Sequence, residues 1–399
     1  MLTSEELNRN TAAFADVLRP TRVEVDLSRL AANLSAIRSH VGQAKVMPVL
    51  KANAYGHGLI EVALLMVELG ADYLGAAFLE EGLLLRNQGI TTPILILGGL
   101  AGEQIPLFLK NSLTLTASSV DKLRQINEVA AALGTRAKVH LKIDTGMERV
   151  GVHYYSAEKL LEASLECSRV EVEGIYSHFA NADAQDLSHA RLQLERFQEV
   201  LQFYERRSLP TPVRHMANSA GILQLPDSHL DMVRPGIMLY GIYPSPECRR
   251  TVAVAPALQW RSQVSFFKVV QPGHPVSYGS TWQTDHPVRV VTMPVGYGDG
   301  YFRALSNRGQ VLIRGRRYPI AGRVCMDQMM ANIEWDSAFN GDAVTLIGTD
   351  GDQTITADDV AGWAGTIPYE VLTNINTRVP RVYVGTEAAC KSTPAGSVH

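Results

Sequence analysis

VLKANAYGHG, residues 49–58, ends an apolar run on a lysine and then breaks into small, polar and glycine-rich residues. A lysine at the mouth of what reads as a buried strand calls for a reason, and the rest of the chain supplies a frame for one. Seven further short runs, at 73–77, 94–98, 113–117, 139–144, 172–178, 213–217 and 232–240, have the same apolar character as the first at 46–51. Several are continuously apolar, as strands of a parallel sheet covered on both faces must be. Between them lie helical patterns: Leu27, Leu30, Leu34, Ile37 and Val41 step by three and four and stop at Gly42, and Leu194, Phe197, Leu201 and Tyr204 repeat the spacing. Eight strand–helix units over roughly 240 residues predict a (β/α)8 TIM barrel in residues 1–245. An open doubly wound sheet with extra strands is the alternative this pattern leaves standing.

After residue 245 the texture changes. RSQVSFFKVV, VRVVTMPV, GQVLIRGRRYPIAGRV and DAVTLIGTD are short, β-branched and separated by Gly, Pro and Asp, so residues 246–399 are expected to form a mostly β domain. With 46% hydrophobic and 19% charged residues and a net charge of -3, the chain carries no electrostatic footprint for nucleic acid or an anionic membrane. Cys167, Cys248, Cys325 and Cys390 are scattered without CxxC or metal-finger spacing, which suits a reducing compartment. The start, MLTSEELNRNTAAF, is polar and acidic where a secretory signal is basic and then apolar, so a cytoplasmic location is expected.

Barrel enzymes gather their chemistry at the C-terminal ends of the strands. The unusual residues obey this. Lys51 ends strand one, Lys142 and Asp144 end strand five with Arg149 just beyond, His178 ends strand six, Asn218 and Ser219 follow strand seven, and Arg234, Gly236 and Ile237 belong to strand eight or its exit. The small residues of HMANSAG and RPGIMLYG offer backbone N–H groups and a hydroxyl to a phosphate. A lysine facing a phosphate suggests a Schiff base with pyridoxal phosphate. A phosphosugar substrate fits the same features, and barrel logic alone does not choose.

VLKANAYGHG, KIDTGMERVG, SHFANAD, MANSAG, RPGIMLYG, SYGSTW, GYGDGY, GRVCMDQ and PYEVLT, in that order from about residue 22 to 384, together resemble the alanine racemase family. That resemblance implies pyridoxal 5'-phosphate as cofactor, L-alanine and D-alanine as substrates, D-alanine supply for peptidoglycan, and a homodimer with shared active sites. By the same resemblance Lys51 is the Schiff-base lysine and one catalytic base, while Tyr278, from the other subunit, is the second. The family places the residue matching His178 between that tyrosine and Arg234, and Arg234 opposite the pyridine nitrogen. Because a guanidinium only donates, that nitrogen stays unprotonated and the electron sink is weakened. Tyr55, Asn218, Ser219, Gly236, Ile237 and Tyr369 match positions around the cofactor, and Arg149 and Met326 match positions near the substrate carboxylate. Lys142 matches a lysine that is carbamylated in many members, which would orient Arg149. Asp183, Tyr297, Arg303 and Arg323 match the substrate entry channel. Glu148, in GMERVG, stands where the family frequently has glycine.

Competing readings are a decarboxylase of basic amino acids on a similar two-domain plan and a non-catalytic pyridoxal phosphate carrier. Arg234 argues against the first, which pairs the pyridine nitrogen with an acid, and the β-rich part is unexplained by the second. GYGDGY is GxGxG rather than GxGxxG and precedes no crossover helix, so it is not read as a dinucleotide loop.

Overall fold

The computed structural model describes residues 19–385, so Cys390 lies outside the described residues. The chain divides into two compact units. One comprises residues 28–256, and the other joins residues 19–27 to residues 257–385.

The first unit closes as an eight-stranded parallel barrel. Its strands are Lys45–Val46, Leu74–Ala76, Ile94–Ile96, Leu115–Ala117, Ala137–Asp144, Val170–Tyr176, Val213–His215 and Met232–Val233. Each pairs with the next, the gaps between the first and second and between the third and fourth being bridged at Val49–Gly75 and Leu95–Thr114. Pairing of Met232–Val233 with Lys45–Val46 completes the circle. Met47, Tyr73, Leu95 and Met232 pack together as one buried cluster of this unit. Helix Leu27–Val41 buries Leu30, Leu34 and Ile37 completely and stops at Gly42, whose φ of 63° is the left-handed conformation that ends helices. Truncating one such side chain, as in Leu34→Ala, costs about 2–5 kcal/mol.

All eight expected strands are present, but six are shorter than their apolar runs. Pro48 interrupts the first ladder because it lacks an N–H, although its carbonyl still accepts from the Gly75 amide (2.9 Å). Val49 adds an isolated bridge to Gly75, and Lys51 begins a helical turn, Lys51–Tyr55, instead of ending a strand. Strand six stops at Tyr176, two residues before His178. Strand eight is only Met232–Val233, and Ile237–Tyr240 coils into a 3-10 turn whose four residues are all buried.

The domain expectation is corrected at both ends. Residues 246–256 belong to the barrel unit, and residues 19–27 belong to the β unit. The reason is strand Arg22–Asp26, whose alternate Val23 and Val25 are fully buried. It lies between Leu258–Gln263, antiparallel, and Arg381–Val384, parallel. The larger sheet of this unit continues from Leu258–Gln263 through Ala343–Asp350 and Gln310–Ile313 to Arg316–Pro319. A second sheet pairs Phe266–Val270, Val288–Met293 and Met329–Asn332.

Candidate active site

The barrel rim is best built up from Lys51. Ala52, Asn53, Ala54 and Tyr55 follow it with φ of 54°, 55°, 51° and 52°, a left-handed turn made without glycine. Left-handed backbone costs an L-residue roughly 1–2 kcal/mol, so the turn persists only because bonds hold it. The Ala54 amide donates to Leu50 O (2.7 Å), the Leu59 amide to Asn53 Oδ1 (2.8 Å), and the Ala52 amide to Glu81 Oε1 (2.7 Å). Lys51 is partly buried, and desolvation, helped by the charge of Arg149, pulls its ammonium below the usual lysine range; Glu81 opposes this.

Across the rim, Ser219 starts the short helix Ser219–Gln224, capped by Asn218 Oδ1 on the Gly221 amide (2.9 Å). Ser219 Oγ accepts from the Gly236 and Met238 amides (2.9 and 3.3 Å). A Cβ on Gly236 would stand 2.5 Å from Tyr55 Oη, so only glycine leaves that cradle open. Tyr55 stacks on Tyr240 (4.9 Å between centroids), and Tyr240 Oη donates to Val49 O (2.9 Å). The structure thus brings Tyr55, Ser219 and Gly236 together, with Ile237 next in the chain. This set of hydroxyls and small-residue backbone fits a phosphate.

Arg234 is buried. Its Nη2 donates to Ser177 O (2.7 Å), Met216 O (3.1 Å) and His178 Nδ1 (3.1 Å), and its Nη1 to His215 Nδ1 (2.8 Å). Accepting at Nδ1 leaves His178 and His215 to carry their protons on Nε2. His215 Nε2 then donates to His140 Nδ1 (2.7 Å). Burial and the Arg234 charge push His140 down to about 3 and His178 and His215 well below the ordinary histidine range. All three imidazoles are neutral. Arg234 itself is lowered to about 10 by burial and keeps its charge at neutral pH.

Lys142 is buried, 5.3 Å above the Tyr176 ring, with Nζ donating to Ile143 O (2.8 Å). Desolvation brings it down to about 7 against the pull of Asp144. Asp144 organises the next loop by accepting from the amides of Gly146, Met147 and Arg149 (2.8, 2.9 and 3.1 Å). Glu148 in that loop has φ of 55°, which is why glycine suits the position. Asp183 lies on the same unit, its carbonyl accepting from Ser245 Oγ (2.5 Å).

The β unit holds the remaining candidates. Tyr278 lies in a turn held by Ser277 Oγ, which donates to Arg323 O (2.6 Å), and the Arg323 guanidinium covers Gly279 closely enough that a Cβ there would meet its Cζ at 2.9 Å. GYGDGY and GRVCMDQ zip together: the Tyr297 amide donates to Cys325 O (3.0 Å) and the Gly298 amide to Met326 O (2.9 Å). Beneath them buried Asp299 binds Arg19 (2.8 Å) and Arg378 (2.7 Å). The backbone of the second glycine-rich motif is thus tied to GRVCMDQ, and its Asp299 anchors two arginines. Tyr278, Met326 and Tyr297 are 71%, 54% and 41% exposed. Arg303 begins the turn Arg303–Leu305, and Tyr369 lies on helix Pro368–Thr373.

Sequence reasoning missed Glu81 and the His140–His215 pair. A signal for the pair existed, since His140, Lys142 and Asp144 alternate along one strand and so share a face. Glu81 sits among ordinary helical residues and carried none.

The rim lysine, the phosphate cradle and a separate β unit define the class: a (β/α)8-barrel enzyme with a mostly β second domain. Residues 25–244 match the family model for the alanine racemase N-terminal domain and residues 257–383 that for the C-terminal domain. The alanine racemase of Carboxydothermus hydrogenoformans is 47% identical over 369 residues, covering 92% of this chain and all of the relative. The solved alanine racemase of Clostridium difficile 630 superposes with a TM-score of 0.87 at 38% identity, over 92% of this chain and 96% of the other. That of Bartonella henselae, solved with covalently bound pyridoxal phosphate, gives 0.84 at 28% identity, over 92% and 100%. The chain belongs to the alanine racemase family, isomerases that interconvert L-alanine and D-alanine.

Proposed function

We propose that this chain racemises alanine with two bases, Lys51 and Tyr278, around pyridoxal phosphate, in a homodimer whose partner subunit supplies the tyrosine. The single observation that carries the reading is Lys51, with its depressed pKa, at the barrel rim that also bears the Tyr55–Ser219–Gly236 cradle. When bound, the cofactor supplies an electron sink that acidifies the substrate Cα–H. Tyr55, Ser219, Gly236, Ile237 and Tyr369 would hold its phosphate, with Asn218 beside them in the cofactor site, and Lys51 its aldehyde carbon.

Each residue then has a physical task. Lys51 Nζ, neutral more readily than an exposed lysine, takes or returns a proton at one face of Cα. Tyr278, 71% exposed in its own chain, serves the other face once buried against a partner. A phenol is a poor base near pH 7 without help, and His178 Nε2–H can donate to its oxygen while Nδ1 stays on Arg234. Arg234 keeps a donor toward the pyridine nitrogen. Arg149 and the Met326 amide hold the substrate carboxylate, and Asp183, Tyr297, Arg303 and Arg323 line the way in. A Lys142 amine brought down to about 7 is sufficiently deprotonated for its nitrogen to bond carbon dioxide and release a proton to solvent, giving a carbamate anion that would orient Arg149. A cytoplasmic enzyme feeding D-alanine to peptidoglycan accords with these roles and with three described cysteines that are free thiols.

Incubation with L-alanine in deuterium oxide tests the scheme. D-alanine carrying deuterium at Cα is expected. Loss of the α-proton with retained L configuration would remove the second base from the scheme, and carbon dioxide release without enantiomer exchange would replace racemisation with decarboxylation.

A further inference from the structure

The left-handed turn that carries Lys51 has a support outside itself. Asn53 and Leu50 brace it from within residues 50–59, but the amide directly after the lysine, Ala52 N–H, donates to Glu81 Oε1 (2.7 Å). Glu81 stands in the first turn of helix Leu79–Asn87, beyond barrel strand two. Its other oxygen, Oε2, accepts from the amides of Ala77 (2.7 Å) and Phe78 (3.4 Å). One carboxylate therefore ties the loop after strand one to the loop after strand two, with charge-assisted bonds on both sides. No neutral isostere can do this, because a glutamine has one accepting oxygen and its NH2 would face a donor.

The same carboxylate has a second effect, through its charge. The charged and titratable groups that act on Lys51 are Arg149, from the segment after strand five, His178, from the segment after strand six, and Glu81. His178 is neutral, so Glu81 is the negative charge set against Arg149.

We propose that Glu81 is a positioning residue for Lys51: it holds the backbone of the left-handed turn and thereby the direction of the lysine, while its charge balances Arg149. The inference rests on the assignment of Lys51 as the cofactor lysine. It acts through Lys51 and touches neither substrate nor cofactor.

Glu81→Gln is the probe, examined with Ala52→Gly and the double variant. The first reading is borohydride trapping of added pyridoxal phosphate on Lys51 of the cofactor-free protein, followed by mass spectrometry against pH. Loss of the carboxylate is expected to move the midpoint of amine reactivity to lower pH, because burial and Arg149 then act unopposed. The second is amide hydrogen exchange, in which Ala52 should lose protection. In steady-state kinetics kcat should fall about tenfold or more, as expected when a catalytic group is misplaced, with KM for L-alanine within about twofold. Glycine takes positive φ freely, so Ala52→Gly should recover part of the lost kcat in the double variant and leave the midpoint where Glu81→Gln put it. An unchanged midpoint together with unchanged kcat overturns the proposal. A lowered melting temperature with a wild-type midpoint also overturns it, making Glu81 merely structural, and absence of kcat recovery removes the turn as its route. Wild-type protein that traps no cofactor at Lys51 would instead overturn the assignment of Lys51 itself.

Discussion

The two units hold their shares of the candidate site in opposite states. In the barrel, Lys142, His140, His215 and Arg234 are buried and bonded to one another or to backbone, so their positions are fixed before anything binds. In the β unit, Tyr278, Met326 and Tyr297 are 71%, 54% and 41% exposed, on loops whose backbones are tied down while their side chains face solvent. A buried polar constellation is self-sufficient because each member satisfies another. An exposed tyrosine assigned to proton transfer at a dry centre is not, and the contrast points to a second surface that covers it.

The strongest way to break the barrel half is Lys51→Ala. Removing both cofactor attachment and a base should cut racemisation by more than about 10⁴-fold and abolish the visible absorbance of bound cofactor; a normal spectrum would refute the role given to Lys51. The β half should yield next: Tyr278→Phe is expected to lower kcat by roughly 10²–10⁴-fold while leaving that absorbance intact. Mixing the two inactive variants sharpens the comparison. If sites are shared across a two-fold dimer, random reassociation restores about a quarter of wild-type activity, and no recovery would mean that each chain completes its own site.

Acid gives a smaller effect that separates the units. The unfolded chain protonates each histidine near pH ~6.5, whereas buried His140 and His215 stay neutral, His140 down to about pH 3. Barrel stability should therefore be complete above pH ~6.5 and fall by roughly 1.4 kcal/mol per pH unit for each of these histidines below it. The four tryptophans, Trp260, Trp282, Trp335 and Trp363, all lie in the β unit. Circular dichroism should lose helix at a higher pH than tryptophan fluorescence shifts, and His140→Asn should flatten the acid limb. Coincident transitions with an unchanged slope would show that the histidine pair does not set acid stability.

Much of this was legible in the sequence, for identifiable reasons. Apolar runs of strand length recur eight times because each barrel strand is covered on both faces, and all eight were found where the runs lie. Their ends were overrun where Pro48 and the Ile237–Tyr240 turn remain apolar without pairing. The strand Arg22–Asp26 was absorbed into the barrel because its partners lie more than 230 residues away, and hydrophobic alternation names a face but not a neighbour. Lys51, Lys142, Arg149, His178 and Arg234 could be placed on one rim from strand order alone. Glu81 could not, since its task depends on a left-handed turn that Ala, Asn and Tyr do not announce.

Strand Arg22–Asp26 also sets a timetable. Its Val23 leaves the ribosome well ahead of Arg381, the residue it pairs with on strand Arg381–Val384. At about 5–20 residues per second, tens of seconds of synthesis separate them, long enough for the barrel encoded between to collapse. During that interval a β-branched strand with both edges open is exposed to any other unpaired edge, including its counterpart on a neighbouring nascent chain. Birth order thus lets the β unit close only after all of the barrel residues have been synthesised.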